Sequence, residues 1–188
     1  MERLTETFFL RSCLEAAPAL VGKLICRRLP DGSVLRLRIT ETEAYNGTAD
    51  TACHASKGKT QRSEMLWRAP GTVYIYLCYG MHWMLNVITG SEGDPQGVLI
   101  RACEGYGGPG KLTKYLQLDK QFNGTSFCDC GALWMEDDGY RPSLRTDCRV
   151  GIDYAAPEDR DRLWRFIDCS SEQNQIEQKR NGRKRKNR

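Results

Sequence analysis

The sequence predicts a single α+β domain, built on a mostly antiparallel, curved sheet with a few helices around it. Several segments alternate apolar and polar residues with the period of two that a strand requires, and short turns join them into hairpins. Strands do not alternate with helices along the chain, as they do in a parallel sheet. At 188 residues, the chain is long enough to bury one core of its own.

The N-terminal part of the chain supplies a helix and a first hairpin. Residues 5–19 are apolar enough for an opening helix, which Pro18 is expected to end. A strand over 23–29, the turn Pro30-Asp31-Gly32 and a returning strand over 33–45 then form the hairpin.

A second hairpin follows a polar loop over 47–71, which is too long for a simple turn. Strands over 71–79 and 81–88 flank the dipeptide Tyr79-Gly80, which we expect at the hairpin tip because glycine favours tight turns. The remaining predicted elements are a strand over 96–102, a helix over 111–118 and short strands over 133–135, 149–153 and 163–168.

The returning strand of the first hairpin contains two glutamates. Leu35, Leu37 and Ile39 share one face, and an unbroken strand extends that face to Glu41, Glu43 and Tyr45. Carboxylates on an inward face are costly to bury, so they need partners or a function. Alternatively, the strand ends near Thr40 and both carboxylates are solvated.

The net charge divides the chain into a folded body and a tail. The whole chain carries +4 and residues 179–188 contribute +7, which leaves −3 for residues 1–178. We therefore expect a folded domain over 1–172 and a disordered basic tail over 173–188. Such a tail suits phosphate contacts, a nuclear-import signal or simple solubility, so it does not define an activity.

The composition argues against a membrane protein, a secreted protein and a metalloprotein. No apolar run approaches the roughly 18 residues of a membrane span, and the N-terminus lacks a signal-peptide pattern. The nine cysteines are odd in number and irregular in spacing, so we expect reduced thiols inside the cell. Cys128 and Cys130 form one unpaired C-x-C, whereas structural zinc sites use two cysteine pairs; we expect no metal and no cofactor.

An ordered set of motifs resembles the alkyladenine (3-methyladenine) DNA glycosylases over about residues 8–167. The matching segments are Glu41-Thr-Glu-Ala-Tyr45, His54, Pro70-Gly-Thr-Val-Tyr-Ile-Tyr-Leu-Cys-Tyr-Gly-Met81, Asn86, Val98-Leu-Ile-Arg-Ala102, Gly108-Pro-Gly-Lys-Leu112 and Arg149-Val-Gly-Ile152. The resemblance implies a monomeric base-excision repair enzyme that acts on damaged purines in double-stranded DNA. Such an enzyme works with the genome, in the cytoplasm or nucleoid of a prokaryote or the nucleus of a eukaryote.

The resemblance also implies roles for individual residues. Glu43 is the expected general base, with Arg101 positioning the attacking water and the charge of Arg101 keeping Glu43 ionised. Because no lysine stands at the matching nucleophile position, the enzyme is expected to use water and to be monofunctional. Tyr45 and Tyr76 are the expected aromatic walls for the flipped base, and His54 is expected to form a hydrogen bond near the sugar. Asn86 is expected to exclude guanine, and the carbonyl of Val150 to complete the water site. Tyr79 is the expected wedge that intercalates into the DNA.

One departure from the family and two other functions are considered. The family has a sizeable helical segment before Gly108, of which residues 103–107 are nearly all that remains here. Residues 105–111 also approach a phosphate-binding P-loop, but Leu112 stands where that motif requires Ser or Thr. The third possibility is a non-catalytic nucleic-acid-binding module that relies on the basic tail.

Overall fold

The computed structural model describes residues 1–170, so the predicted basic tail over 173–188 lies outside the described residues. Ten strands occur in this part of the chain: β1 (Glu2–Arg3), β2 (Leu24–Arg28), β3 (Val34–Asn46), β4 (Val73–Cys78), β5 (His82–Thr89), β6 (Gln96–Cys103), β7 (Tyr106–Gly107), β8 (Leu133–Asp137), β9 (Leu144–Asp147) and β10 (Arg165–Asp168). The helices are α1 (Glu6–Phe9), α2 (Cys13–Leu20), α3 (Pro109–Tyr115) and α4 (Pro157–Arg160), with 3₁₀ turns at His54–Lys57, Glu64–Trp67 and Lys120–Phe122.

The strands form one curved, unclosed and antiparallel sheet, which confirms the predicted α+β class. Its main path runs β1-β8-β2-β3-β6-β5-β4. The long strand β3 holds this sheet together: its first half pairs with β2, and its second half lies between β6 and β10. β9 extends the sheet beyond β10, and β7 folds back on the end of β6.

Both predicted hairpins are present. β2 and β3 meet at the Pro30-Asp31-Gly32 turn, where Gly32 takes a φ of +85°. β4 and β5 meet at Tyr79-Gly80, with positive φ at both residues. The shortened segment 103–107 forms a third, tight hairpin between β6 and β7.

Two predicted elements differ from the structure. The opening helix is two helices, because Ser12 and Glu15 form a capping box that begins α2, and Pro18 lies inside α2 rather than at its end. The strand predicted over 149–153 is absent. The Arg149 side chain turns inward to Asp50, and Gly151 takes a φ of +77°, which interrupts an extended backbone.

The core lies between the sheet and α2, and β3 changes the face it presents to that core. Pairing with β6 is irregular between Ile39 and Thr42, with register shifts on either side of Glu41. Leu37 and Ile39 belong to the core before the irregularity, and Ala44 belongs to it afterwards. Thr42 also faces α2, since its hydroxyl donates to the Ala17 carbonyl.

This change of face corrects the expectation for the two glutamates. The extended alternation predicted that Glu41, Glu43 and Tyr45 share a face with Leu37 and Ile39. In the structure, these three side chains lie on the opposite face. The alternative, a strand that ends near Thr40 with solvated carboxylates, is also wrong, since β3 continues to Asn46 and both glutamates are buried.

Three further features concern helix length, possible metal ligands and the cysteines. No helix within residues 1–170 is long and apolar enough to cross a membrane. No group of three His, Cys, Asp or Glu side chains in the same range could hold a metal ion. Cys13, Cys26 and Cys53 are buried thiols. Burial is the main cause that raises the pKa of Cys13 and Cys26 to about 12, so these two thiols stay protonated at neutral pH.

Candidate active site

A cavity of about 800 Å³ opens on the face of the sheet opposite to α2. Its walls come from β3 to β6, the loop before β4, the start of α3 and the loop around residue 150. Seven of the eight site residues predicted from the sequence line it: Tyr45, His54, Tyr76, Tyr79, Asn86, Arg101 and Val150. The sheet therefore brings together residues that are more than 100 positions apart in the chain.

The eighth residue, Glu43, lies directly behind the cavity wall, and its side chain has an exposed fraction of 0%. The Tyr45 hydroxyl donates to Oε2 at 2.9 Å, and the Val150 amide donates to Oε1 at 2.9 Å. Arg101 Nε lies 3.5 Å from the same Oε1. All three partners line the cavity, so the carboxylate is enclosed by the residues that form its wall.

Burial and hydrogen bonding act on Glu43 in opposite directions. Burial is the largest influence and raises the pKa of the carboxyl, whereas Arg101, the Val150 amide and the Tyr45 hydroxyl lower it. The net direction is upward from the ordinary value of 4.5. Arg101 therefore favours the ionised form, as expected from the sequence, but it does not outweigh burial.

Arg101 is held by a second glutamate to which the sequence assigned no role. Its Nε lies 3.0 Å from Glu41 Oε1, and Arg165 Nη1 lies 2.9 Å from the same oxygen. Arg165 also bonds Asp147 at 2.8 Å, which connects β10 and β9 to the cluster. Glu41 thus fixes Arg101 beside Glu43. The strand sequence Leu99-Ile-Arg-Ala102 gave no sign of this pairing.

The aromatic wall is larger than predicted. Tyr76 contacts His54 edge-on with ring centroids 4.7 Å apart, and Tyr74 packs beside it at 5.3 Å. The Tyr74 hydroxyl is hydrogen bonded to His54 Nδ1 at 2.9 Å. Burial, reinforced by the charges of Arg62 and Lys57, lowers the pKa of His54 to about 4, so His54 is neutral near pH 7. Tyr74 shares a strand face with Tyr76, which is the signal that could have identified it.

Asn86 and Val150 are both fixed by backbone hydrogen bonds. The Asn86 amide donates to the carbonyls of Tyr74 and Met84, at 3.1 and 3.3 Å. Val150 contacts Glu43 through its backbone amide. The family resemblance implied a different group, the carbonyl of Val150, at the water site. The role of that carbonyl stays a prediction.

A buried ion pair sets the position of Val150 and Tyr45. Arg149 bonds Asp50 at 2.6 and 2.8 Å, and it also donates to the Ala44 carbonyl at 2.9 Å. Its guanidinium lies 4.8 Å from the centre of the Tyr45 ring. Sequence reasoning placed Arg149 in a strand and missed this contact, because the partner is separated from it by 99 residues.

The β4–β5 hairpin projects Tyr79 at the mouth of the cavity. Tyr79 is 85% exposed and has a φ of +50°, an unusual backbone angle for a residue with a side chain. Met81, at 68% exposed, stands beside it. Exposed apolar side chains at a cavity mouth suit contact with a large partner.

The segment that approaches a P-loop has a different structure. Tyr106 and Gly107 pair with β6, and α3 begins at Pro109, so residues 105–111 do not form one continuous phosphate-binding loop. Gly107 to Lys111 instead complete the rim of the cavity.

A family model described as methylpurine-DNA glycosylase matches residues 7–107 and 106–172. The chain belongs to the methylpurine-DNA glycosylase family. It is accordingly a DNA N-glycosylase, a hydrolase of DNA repair whose substrate is DNA. The two matched stretches of the chain meet in the tight β6–β7 hairpin. This hairpin is the segment 103–107, which is shorter than the helical segment expected in the family.

Three relatives of this chain carry the provisional name 3-methyladenine DNA glycosylase. The protein of Psychrobacter cryohalolentis is 39% identical over 190 residues, covering 86% of this chain and 89% of its own. That of Methanocella arvoryzae is 41% identical over 191 residues, covering 91% of this chain and 94% of its own. That of Nitrosococcus oceani is 41% identical over 182 residues, covering 87% of this chain and 88% of its own.

Proposed function

We propose that this glycosylase flips alkylated or deaminated purines out of double-stranded genomic DNA and hydrolyses the N-glycosidic bond with a water activated by Glu43. The substrates in this proposal are 3-methyladenine, 7-methylguanine, hypoxanthine and ethenoadenine. The enzyme acts as a monomer, without a cofactor and without cutting the DNA strand. The observation that carries the proposal is a fully buried carboxylate whose three partners all line an aromatic cavity.

The chemistry at Glu43 is general-base hydrolysis. As the bond between C1′ and the purine nitrogen breaks, its electron pair leaves with the base and positive charge develops on the sugar. The carboxylate stabilises that charge, takes a proton from the water and directs the water oxygen to C1′. An ionised carboxylate offers about four acceptor positions, and its two hydrogen-bond donors, Tyr45 and the Val150 amide, leave room for the attacking water.

The aromatic side chains hold the extruded base. Tyr45 and Tyr76 line the same cavity and provide the two stacking faces, while neutral His54 lies against Tyr76 to hydrogen bond near the sugar. Stacking strengthens by about 0.5–2 kcal/mol when the base is cationic. Asn86, fixed by two backbone carbonyls, disfavours guanine through a clash with its exocyclic amine. 7-methylguanine carries the same amine, but its positive charge weakens the glycosidic bond, so it is still released.

Tyr79 fills the gap that the flipped nucleotide leaves in the duplex. Extrusion costs a few kcal/mol of lost stacking and pairing, and an inserted aromatic ring recovers part of that cost. A position at the tip of a two-stranded hairpin allows the ring to enter the duplex while the cavity beside it receives the base.

Glu43→Gln tests the proposal. Glutamine keeps the size of the side chain and can still bond Val150 and Tyr45, so the variant should fold and bind lesion DNA. Base release should fall by about 10²- to 10⁴-fold, because the general base is lost. The measurement is single-turnover release of hypoxanthine from a duplex, with DNA affinity determined in parallel. Excision at the normal rate by this variant would reject Glu43 as the base, and a wild-type protein that binds DNA without releasing any base would reject the enzyme.

A further inference from the structure

Arg62 places a positive charge at the aromatic end of the cavity. Its guanidinium carbon lies 5.3 Å from the centre of the Tyr76 ring, within the range of a cation–π contact, and the residue lines the cavity. Within residues 1–170, no carboxylate forms an ion pair with Arg62. Its charge therefore has no neutralising side-chain partner in this part of the chain.

The charge of Arg62 reaches the neighbouring rings. After burial, it is the largest influence that lowers the pKa of His54. It also opposes the rise that burial causes in the pKa of Tyr74. The part of the cavity around Tyr76 and His54 thus carries a positive charge, whereas the carboxylate of Glu43 is hydrogen bonded to Tyr45.

We propose that Arg62 is a specificity-determining residue, which favours neutral damaged purines such as hypoxanthine over cationic ones such as 7-methylguanine. This inference rests on the proposed function, because it takes Tyr45 and Tyr76 as the walls of the base site. A cationic purine is repelled by Arg62 whichever face of Tyr76 it occupies: on the same face it competes for the ring, and on the other it faces a ring already polarised by a cation.

The bond-breaking step adds to this preference. When the bond from C1′ to hypoxanthine breaks, the electron pair makes the departing base an anion, which later takes a proton from solvent. Arg62 stabilises that developing negative charge. When the same bond to 7-methylguanine breaks, the electron pair neutralises a base that was already cationic, so Arg62 has no anion to stabilise. In both cases water oxygen bonds to C1′ and its proton passes to Glu43.

Arg62→Gln tests the inference on duplexes that carry either hypoxanthine or 7-methylguanine. Arg62 is exposed, so its replacement should leave the fold intact. The single-turnover rate constant is measured as a function of enzyme concentration, and the ratio of catalytic efficiencies, hypoxanthine over 7-methylguanine, is compared. We expect this ratio to fall about tenfold in Arg62→Gln.

Two matched variants complete the experiment. Arg62→Lys keeps the charge and should keep the ratio within about twofold of wild type. Lys59→Gln removes an exposed charge from the same loop outside the cavity lining, and it should weaken both substrates equally.

An unchanged ratio in Arg62→Gln, with both efficiencies lowered alike, would show that Arg62 only contacts phosphate and would overturn the inference. The inference is supported if the ratio of hypoxanthine to 7-methylguanine efficiency falls in Arg62→Gln and stays near the wild-type value in Arg62→Lys. The proposed function fails differently, since wild-type protein would then release neither base.

Discussion

At the scale of single residues, the proposed role of Glu43 as a base requires an ionised carboxylate at a buried position. Burial makes the carboxylate a stronger base, and the charge of Arg101 together with two hydrogen-bond donors keeps the charged form accessible. Arg101 alone could not neutralise two carboxylates, but Arg165 also bonds Glu41. Arg165 bonds Asp147 as well, and Asp147 pairs with Arg145, so the whole cluster holds three carboxylates and three guanidinium groups.

The raised pKa of Glu43 predicts the pH dependence of base release. The rate should increase as the pH rises through the pKa of Glu43, because only the ionised carboxylate accepts a proton, and the midpoint should lie above 4.5. Tyr45→Phe removes a donor that lowers this pKa, so the midpoint should move to higher pH. Single-turnover rates on a hypoxanthine duplex, measured across the acidic range, give both midpoints.

His54 is the control for this profile, because its pKa of about 4 places a second titration in the acidic range. The acid limb should persist in His54→Gln, although the plateau rate falls. Two results would assign the titration to a group other than Glu43. One is loss of the pH dependence of the rate in His54→Gln, and the other is an unchanged midpoint of that pH dependence in Tyr45→Phe.

At the scale of elements, the β4–β5 hairpin accepts backbone strain at Tyr79. A residue with a side chain costs about 1–2 kcal/mol at the φ of +50° that Tyr79 adopts, and glycine avoids that cost. The strain is consistent with retention of an aromatic ring at the tip for contact with DNA.

Tyr79→Gly separates stability from function. The free energy of unfolding should stay the same or increase by about 1 kcal/mol, while base release from duplex DNA at low enzyme concentration should fall at least about tenfold. Gly80→Ala is the opposite control: alanine at a φ of +70° should destabilise the fold by about 1 kcal/mol and leave Tyr79 in place. Urea denaturation and excision assays provide the two readings, and normal excision by Tyr79→Gly would contradict the wedge.

Local pattern was sufficient for most strands and for both hairpins, because alternation and turn residues act within a few positions of each other. It was not sufficient for the second half of β3, where the face change depends on pairing with β6. It also failed at Arg149, whose conformation is set by Asp50, 99 residues away. The site residues taken from the family motifs do gather at one cavity. The contacts of Glu41 and Arg62 leave no signal in the sequence, whereas Tyr74 was missed although it shares a strand face with Tyr76.

At the scale of the whole molecule, Arg149 attaches the loop around residue 150 to Asp50, in the loop that follows β3, and to the Ala44 carbonyl in β3 itself. Both side chains are almost completely buried, at 0% and 1% exposed. Arg149 also contacts the rings of Tyr45 and Trp164. Stability and the geometry of the site therefore depend on the same contact.

Arg149→Met should destabilise the protein by about 3–5 kcal/mol, because Asp50 is then left buried without its partner. Arg141→Met is the matched control: its ion pair with Asp137 is exposed on the arginine side, and its loss should cost no more than about 1 kcal/mol. Urea denaturation measures both changes. Similar stabilities for the two variants would show that the buried pair contributes no more than a surface pair.

The paired irregularity between Ile39 and Thr42 has a consequence for how this segment tolerates change. Alternate residues of a strand face two different environments, so a strand segment with one extra residue presents the other set of residues to the core. β3 and β6 both contain such an irregularity, at the same place in the sheet. Removal of one residue between Ile39 and Thr42 would make β3 a regular strand, in which Ile39, Thr42 and Ala44 share the α2 face and Glu43 stays on the cavity face. The extra residue of β6 at that point would then lack its counterpart, so β6 would have to lose one residue as well to keep the pairing regular, and length in one strand constrains length in the other.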